Sequence, residues 1–188
     1  LLAARLKTLP AAISPVILGC SLAYHDGFLQ TLICAMTLLA AVLIQIGSNF
    51  ANDVFDYQKG TDREDRLGPI RVTQSGLISP EKMKKAMWGT FALSVFVGFY
   101  LAFIGGWPIV LIGLASIAAG IAYTGGSYPL GYHGWGDIFV FIFFGIIAVP
   151  GTYYLQCGTV NALSIWMGAV LGMLSTAILV VNNLRDAD

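Results

Sequence analysis

At the end of a long apolar run stands Asn52-Asp53-Val54-Phe55-Asp56-Tyr57-Gln58-Lys59-Gly60-Thr61-Asp62, which sets three carboxylates among amide and ammonium groups where a membrane helix would meet water. A second Asn-x-x-x-Asp, Asn182 to Asp186, closes another apolar run about 130 residues later. Brought together, Asp53, Asp56, Asp62 and Asp186 repel: two carboxylates about 5 Å apart cost on the order of 3 kcal/mol at an effective dielectric near 20. Cations between them remove that cost. Both segments offer oxygen donors and no His or Cys, which suits hard Mg²⁺ or Ca²⁺. Mg²⁺ is commonly held through a few carboxylates plus substrate phosphates, and Lys59 and Arg71 suit phosphate oxygens not held by metal. The plainer reading has the acids capping helix ends or standing solvated. Glu64 and Asp65 are read that way.

The elements that must position these groups are membrane helices. The chain is 57% hydrophobic and 11% charged, whereas ordinary globular domains are about a quarter charged. Apolar stretches of roughly transmembrane length recur at 9–24, 28–49, 86–105, 107–123, 138–155 and 163–181. The fold expected is all-α and polytopic: a transmembrane helix bundle with about six spans, one domain over 1–188. A polar loop at about 52–85 carries the first acidic motif, with Ser79 capping the next helix and Pro80 in its first turn. Within the second span Gln45, Asn49, Asn52 and Asp56 recur at spacings of four, three and four, a single polar stripe. A stripe that begins inside the apolar zone faces the bundle interior or a water-filled cavity. Ser175, Asn182 and Asp186 echo it more weakly.

All ten Lys and Arg fall before the first span, between the second and third, or after the sixth. Basic residues mark the cytoplasmic side, so the amino end, the long loop and the carboxyl end are expected inside, with all the acids but Asp26. The expected place is the bacterial inner membrane, multi-pass, with the active-site face cytoplasmic. Cys20, Cys34 and Cys157 form no CxxC pair and read as small buried hydrophobes. No cleavable signal peptide is expected. The first residue is Leu, and the chain reads as part of a longer protein.

Taken together, Asn52-Asp53-x-x-Asp56…Gly60-x-Asp62, Arg66-x-Gly68-Pro69-x-Arg71-x-x-Gln74-x-Gly76 and Asn182-Asn183-x-Arg185-Asp186 resemble the UbiA-type intramembrane prenyltransferases. The Gly-Pro-x-Arg-x-x-Gln and Asn-Asn-Leu-Arg-Asp forms, Arg5-Leu-Lys-Thr-Leu-Pro10 and Tyr123-Thr-Gly-Gly-Ser-Tyr-Pro-Leu-Gly-Tyr132 are similar to the branch acting on 1,4-dihydroxy-2-naphthoate. The resemblance implies about nine spans in the whole protein. It implies Mg²⁺ held by Asn52, Asp56, Asp62, Asn182 and Asp186, diphosphate held by Lys59 and Arg71, and a catalytic set of Asp56, Asp186 and Arg71. The expected partners are a polyprenyl diphosphate, 1,4-dihydroxy-2-naphthoate and membrane lipid, with no nucleic acid. The product is a demethylmenaquinone, formed with loss of the acceptor carboxylate. In the broader family the last acid of the first motif often falls four residues after its predecessor. That position here is Gly60, and Asp62 takes the role if the chain curls back. The last acid of the second motif would fall at position 190.

Asn49, Asp53, Tyr123, Tyr128, Tyr132 and Asp137 are the candidates for contact with acceptor or carbocation. Aromatic faces stabilise cations, and Tyr123, Tyr128, Tyr132 and Trp135 equally suit an interfacial aromatic belt. Asp137 fits helix capping as well as a substrate role. His133 fits a base or a surface histidine. Arg5 and Lys7 fit attraction of the acceptor carboxylate as well as snorkelling anchors. Competing functions are transfer to another aromatic acceptor such as 4-hydroxybenzoate and, in a different class, ion or proton transport along the polar stripe. Prenyl length, oligomeric state and the number of metal ions are open at this level.

Overall fold

A computed structural model describes residues 2–60 and 71–185; Asp62, Arg66, Gly68, Pro69 and Asp186 of the motifs above, with Glu64 and Asp65, lie outside the described residues. A 3₁₀ turn, Leu6–Thr8, leads into α1 (Leu9–His25), followed by α2 (Thr31–Lys59), α3 (Pro80–Gly105) and α4 (Trp107–Ala122). After a second 3₁₀ turn, Leu130–Tyr132, α5 (Gly136–Val140) runs through a π-helical stretch, Phe141–Ile147, into α6 (Ala148–Cys157), and α7 (Ala162–Arg185) follows. The described residues contain no strand. Five of these helices, with α5 to α6 taken as one, have the length and hydropathy to cross a membrane. The fourth expected span, α4, has 16 residues, about 24 Å against a hydrocarbon thickness of roughly 30 Å. Phe96, Phe99, Phe103 and Trp166 lie fully on the outside of their helices, as suits a chain whose solvent is lipid.

The main departure from expectation is the length of α2. Its 29 residues make a rod of about 44 Å, which outruns the hydrocarbon layer. The first acidic motif therefore sits on the last turns of a helix rather than in a loop beginning near 52. The hydropathy falls after Asn49, but nothing between there and Lys59 breaks a helix, and the polar stripe keeps helical phase. Hydropathy reports the solvent, not the backbone. The helix ends at Gly60, whose φ of 63° is left-handed and open to glycine without a side-chain clash. The next helix begins as expected with Ser79 at the N-cap and Pro80 in the first turn, although the Ser79 hydroxyl makes no capping hydrogen bond.

Packing ties the amino-terminal segment and the long connection to α2. Ala3, Ala51, Val54, Val72, Met83, Met87 and Phe91 form one buried cluster. Gly47 lets α2 and α3 close up: a Cβ there would lie 2.6 Å from Phe91 Cε1. α2 packs on α3, α1, α4 and α6, whereas α7 packs on the π-helical stretch, α6, α5 and α1. The expected fifth span is thus one helix with a wide turn in it. That turn lies where backbone meets backbone, since a Cβ on Gly145 would come 2.6 Å from Gly168 O.

Candidate active site

Asp56 is the centre of the polar cluster at the end of α2. Its Oδ2 lies 2.5 Å from Arg71 Nη2, and the two side chains are 4% and 9% exposed. Its Oδ1 accepts a hydrogen bond from the Tyr132 hydroxyl. A carboxylate this buried is tolerated because a guanidinium and a phenol face it; removing one partner of such a pair typically costs about 3–5 kcal/mol.

Asp53, one turn earlier and fully buried, explains how Arg71 gets there. Its two oxygens accept from the Val72 and Thr73 amides at 3.0 and 2.9 Å. Ser75 N then donates to Arg71 O at 3.0 Å, closing a turn. Fixing two successive amides on one carboxylate sets the register of the chain, and Arg71 falls beside Asp56 as a result. Both Asp53 oxygens therefore face the protein's own backbone.

Asn52 and Lys59 are joined through Thr124, a member of the Tyr123–Tyr132 motif to which the sequence assigned no role. Thr124 Oγ1 donates to Asn52 Oδ1 at 2.9 Å, and Lys59 Nζ donates to Thr124 O at 2.6 Å. Lys59 also stands 5.5 Å from the centre of the Tyr132 ring, within cation–π range. Farther back along the stripe, Asn49 Nδ2 donates to Ala4 O at 2.8 Å and to Thr8 Oγ1 at 2.9 Å, with Gln45 Nε2 3.4 Å from the same hydroxyl. The stripe does face inward, as expected. It faces the amino-terminal segment there rather than a water-filled path.

The connection after α4 folds over the same end. Gly131 N donates to Tyr123 O at 2.9 Å, and Gly131 lies against the Tyr123 ring, where a Cβ would sit 2.8 Å from Cε1. Burial, and then the nearby Asp137 and Asp56 carboxylates, hold the Tyr123 phenol above its usual pKa. Tyr123, Asp137 and Asp56 thus share one electrostatic neighbourhood. Asp137 is inside the first turn of α5, not at its N-cap, which is Trp135; the capping reading is corrected, and the positive helix end favours an acid there instead. Tyr128 turns away and stacks on His133 at 3.6 Å, and His133 Nδ1 is 2.8 Å from Pro129 O. Asn182 lies on an exposed face near the end of α7.

Among the described residues no three His, Cys, Asp or Glu side chains lie close enough to hold an ion. Asn52 and Asp56, two of the expected metal ligands, stand one turn apart, with Asn52 Oδ1 bound by Thr124 and the two Asp56 oxygens by Arg71 and Tyr132. Asp62 and Asp186, the other expected acids, are outside the described residues. Thr8 and Thr124 lie inside motifs quoted above, yet neither they nor the Ala4 carbonyl were legible as partners, because spacing does not say which distant group a hydroxyl or a carbonyl meets.

The lipid-facing helices and the buried acid, guanidinium and phenol at the end of α2 define a polytopic membrane protein with a charged site at a helix end. Residues 12–188 match the UbiA prenyltransferase family, and the chain belongs to that family. It is 41% identical over 191 residues to the 1,4-dihydroxy-2-naphthoate octaprenyltransferase of Escherichia coli (strain K12), covering 97% of this chain and 61% of that protein. The protein of the same name from Haemophilus influenzae is 40% identical over 203 residues, covering 98% and 63%. That of Mycobacterium tuberculosis is 41% identical over 186 residues, covering 97% and 62%. The chain thus spans about three fifths of the length of these relatives.

Proposed function

We propose that the whole protein transfers a polyprenyl group from a polyprenyl diphosphate to 1,4-dihydroxy-2-naphthoate, giving the quinol form of demethylmenaquinone; oxidation of that quinol to demethylmenaquinone takes an external two-electron oxidant and is not part of the transfer. The observation that carries this reading is the buried Asp56–Arg71 pair on the polar face of α2, in a chain about 40% identical to enzymes named for that reaction. Asn52 and Asp56, with Asp62, Asn182 and Asp186, would hold Mg²⁺. When bound, the metal neutralises charge building on the departing diphosphate.

The chain's own groups do the rest. Arg71, poised on Asp56, is the cation nearest the acid and passes to a diphosphate oxygen, where its fork suits two oxygens at once. Lys59, anchored on Thr124 O, supplies a second positive charge. The allylic C–O bond breaks with its electron pair going to diphosphate, and a ring carbon forms the new C–C bond. The carboxylate then leaves as CO₂ and returns its bonding pair to the ring. Tyr132 and Tyr123 offer aromatic faces to the cation, and the enclosing helices keep water from it. The basic connections support a cytoplasmic position for this end of α2, in a bacterial inner membrane. Gln45 and Asn49 bind the amino-terminal segment, which speaks against transport along the stripe.

The test is turnover by the full-length protein in lipid nanodiscs with a polyprenyl diphosphate and Mg²⁺, comparing 1,4-dihydroxy-2-naphthoate with 4-hydroxybenzoate. The expected result is prenylated naphthohydroquinone and diphosphate in equal amounts, lost with chelator. Preferential prenylation of 4-hydroxybenzoate overturns the acceptor, and ion flux without diphosphate release overturns the class.

A further inference from the structure

The first turns of α3 carry charge that the candidate active site does not use. Lys82, Lys84 and Lys85 are all exposed, and among the described residues none of them is in an ion pair. A topology signal needs basic residues near the end of a span, on any face of it. Here the face is particular. Lys85, Gly89, Ala92, Phe96, Phe99 and Phe103 recur at spacings of four, three, four, three and four, a single line along a helix. That line is the outermost on α3. Phe96, Phe99 and Phe103 are 73%, 70% and 91% exposed, while Met83, Met87 and Phe91 bury the opposite side.

Between the Lys85 ammonium and the Phe96 ring the line is bare. The two residues are eleven positions apart, about 16 Å along the axis, and on the line between them stand only Gly89 and Ala92, both exposed. Glycine weakens a helix, and a Cβ at Gly89 would meet nothing within 4 Å, so no described neighbour requires it. Trp88 and Leu93, 51% and 50% exposed, flank the gap, and Trp88 is set edge-on to Phe91 with ring centroids 6.4 Å apart. The result is a short apolar trough beneath a cationic head. α3 packs mainly on α2, α4 and α6, and α7 packs mainly on the π-helical stretch, α6, α5 and α1. The trough therefore faces lipid.

We propose that this face binds an anionic phospholipid of the cytoplasmic leaflet, with its phosphate among the Lys82, Lys84 and Lys85 ammonium groups and an acyl chain over Gly89 and Ala92. Lysine stems lie along apolar surface while their heads reach the headgroup level. The negative surface of that leaflet attracts juxtamembrane lysines, about fivefold in affinity for each. The trough adds a shape that diffuse attraction lacks. On the inner side of the same turns, Met83 and Met87 share a buried cluster with Val54 of α2 and with Val72, the residue after Arg71. A lipid held outside thus braces one wall of the candidate site, whichever acceptor that site takes.

Native mass spectrometry of the full-length protein in detergent, titrated with phosphatidylglycerol or phosphatidylcholine, is the test. Phosphatidylglycerol is expected to bind about tenfold tighter than phosphatidylcholine, and Lys82→Gln, Lys84→Gln and Lys85→Gln together are expected to remove that preference. Gly89→Leu keeps every charge and suits a helix, yet by filling the trough it is expected to weaken phosphatidylglycerol about threefold or more. In nanodiscs, phosphatidylglycerol in place of phosphatidylcholine is expected to raise the unfolding temperature of the wild type and not of the triple variant. An intact preference in the triple variant overturns the site, and wild-type affinity in Gly89→Leu overturns the trough in favour of diffuse attraction. A raised KM for the polyprenyl diphosphate in the triple variant, with phosphatidylglycerol affinity unchanged, makes the face a docking place for that substrate and overturns the phospholipid.

Discussion

Each end of α2 adjoins an aspartate that accepts a hydrogen bond from a tyrosine hydroxyl: Tyr132 to Asp56 at one end, Tyr153 to Asp26 at the other. The partners beyond the tyrosine differ. Asp26 is bound by Tyr153 at 2.5 Å, Asn161 at 3.2 Å and His25 at 2.9 Å, and its side chain is 28% exposed. The same region caps helices: Asn161 Oδ1 accepts from Ser164 N at 2.8 Å, and Gln156 Oε1 accepts from Gln30 N at 2.7 Å. It is a strap between two turns. Asp56 instead faces a full positive charge out of water. A tyrosine–aspartate bond alone joins elements; burial with a guanidinium makes a place where a charged ligand can exchange for a charged partner.

Asp56→Asn breaks the contrast most sharply. It is expected to lower turnover about 10²–10³-fold, the range for loss of one preorganised charged or donor group. Because Arg71 is left buried without its carboxylate, it is also expected to destabilise the protein by about 3–5 kcal/mol. Turnover per folded molecule, with thermal unfolding in nanodiscs, checks both. Activity close to wild type would place the reacting charge elsewhere.

Asp53→Ala sharpens the comparison from within the same end. Two buried amides lose their acceptor, and stability is expected to fall by about 1–3 kcal/mol. Because Asp53 sets the register of Arg71, KM for the polyprenyl diphosphate is expected to rise as well. A change in melting with unchanged KM would sever that link.

The smallest effect is expected at Asp26. The Tyr153 hydroxyl, and then His25, hold its carboxyl below the usual aspartate range. A depressed folded-state pKa means the unfolded chain binds the proton more readily. The contribution to stability is therefore present above the ordinary value, near 4, and is lost as pH falls through the folded pKa. Asp26→Asn is expected to flatten the acid side of the stability profile while changing turnover by less than about twofold. A large loss of turnover would make this end part of the site.

Much of the site was legible because charge inside an apolar run is costly, so each instance carries meaning. The stripe of Gln45, Asn49, Asn52 and Asp56 keeps helical phase and faces inward, and Arg71, expected to hold diphosphate, stands beside Asp56. The roles within the stripe were not legible. Asn49 and Asp53, read as candidates for acceptor contact, bind a carbonyl and two amides of this chain. Backbone groups are alike at every position, so no residue type announces which one an amide or carboxylate will find. The end of α2 was misjudged for a related reason: polarity begins several residues before the helix stops.

The sequence by itself determined the solvent of the protein, the order of its apolar helices, and the residue types proposed to hold diphosphate and metal. Those follow from composition and spacing, which act locally. Only the tertiary structure decided which acid pairs with Arg71 and which sets its register. It alone brought Tyr132 and Thr124 from a distant connection onto α2, and it alone set the Ala4 carbonyl and the Thr8 hydroxyl on Asn49. These are contacts between residues far apart in the chain, and their geometry exists only once the helices have packed.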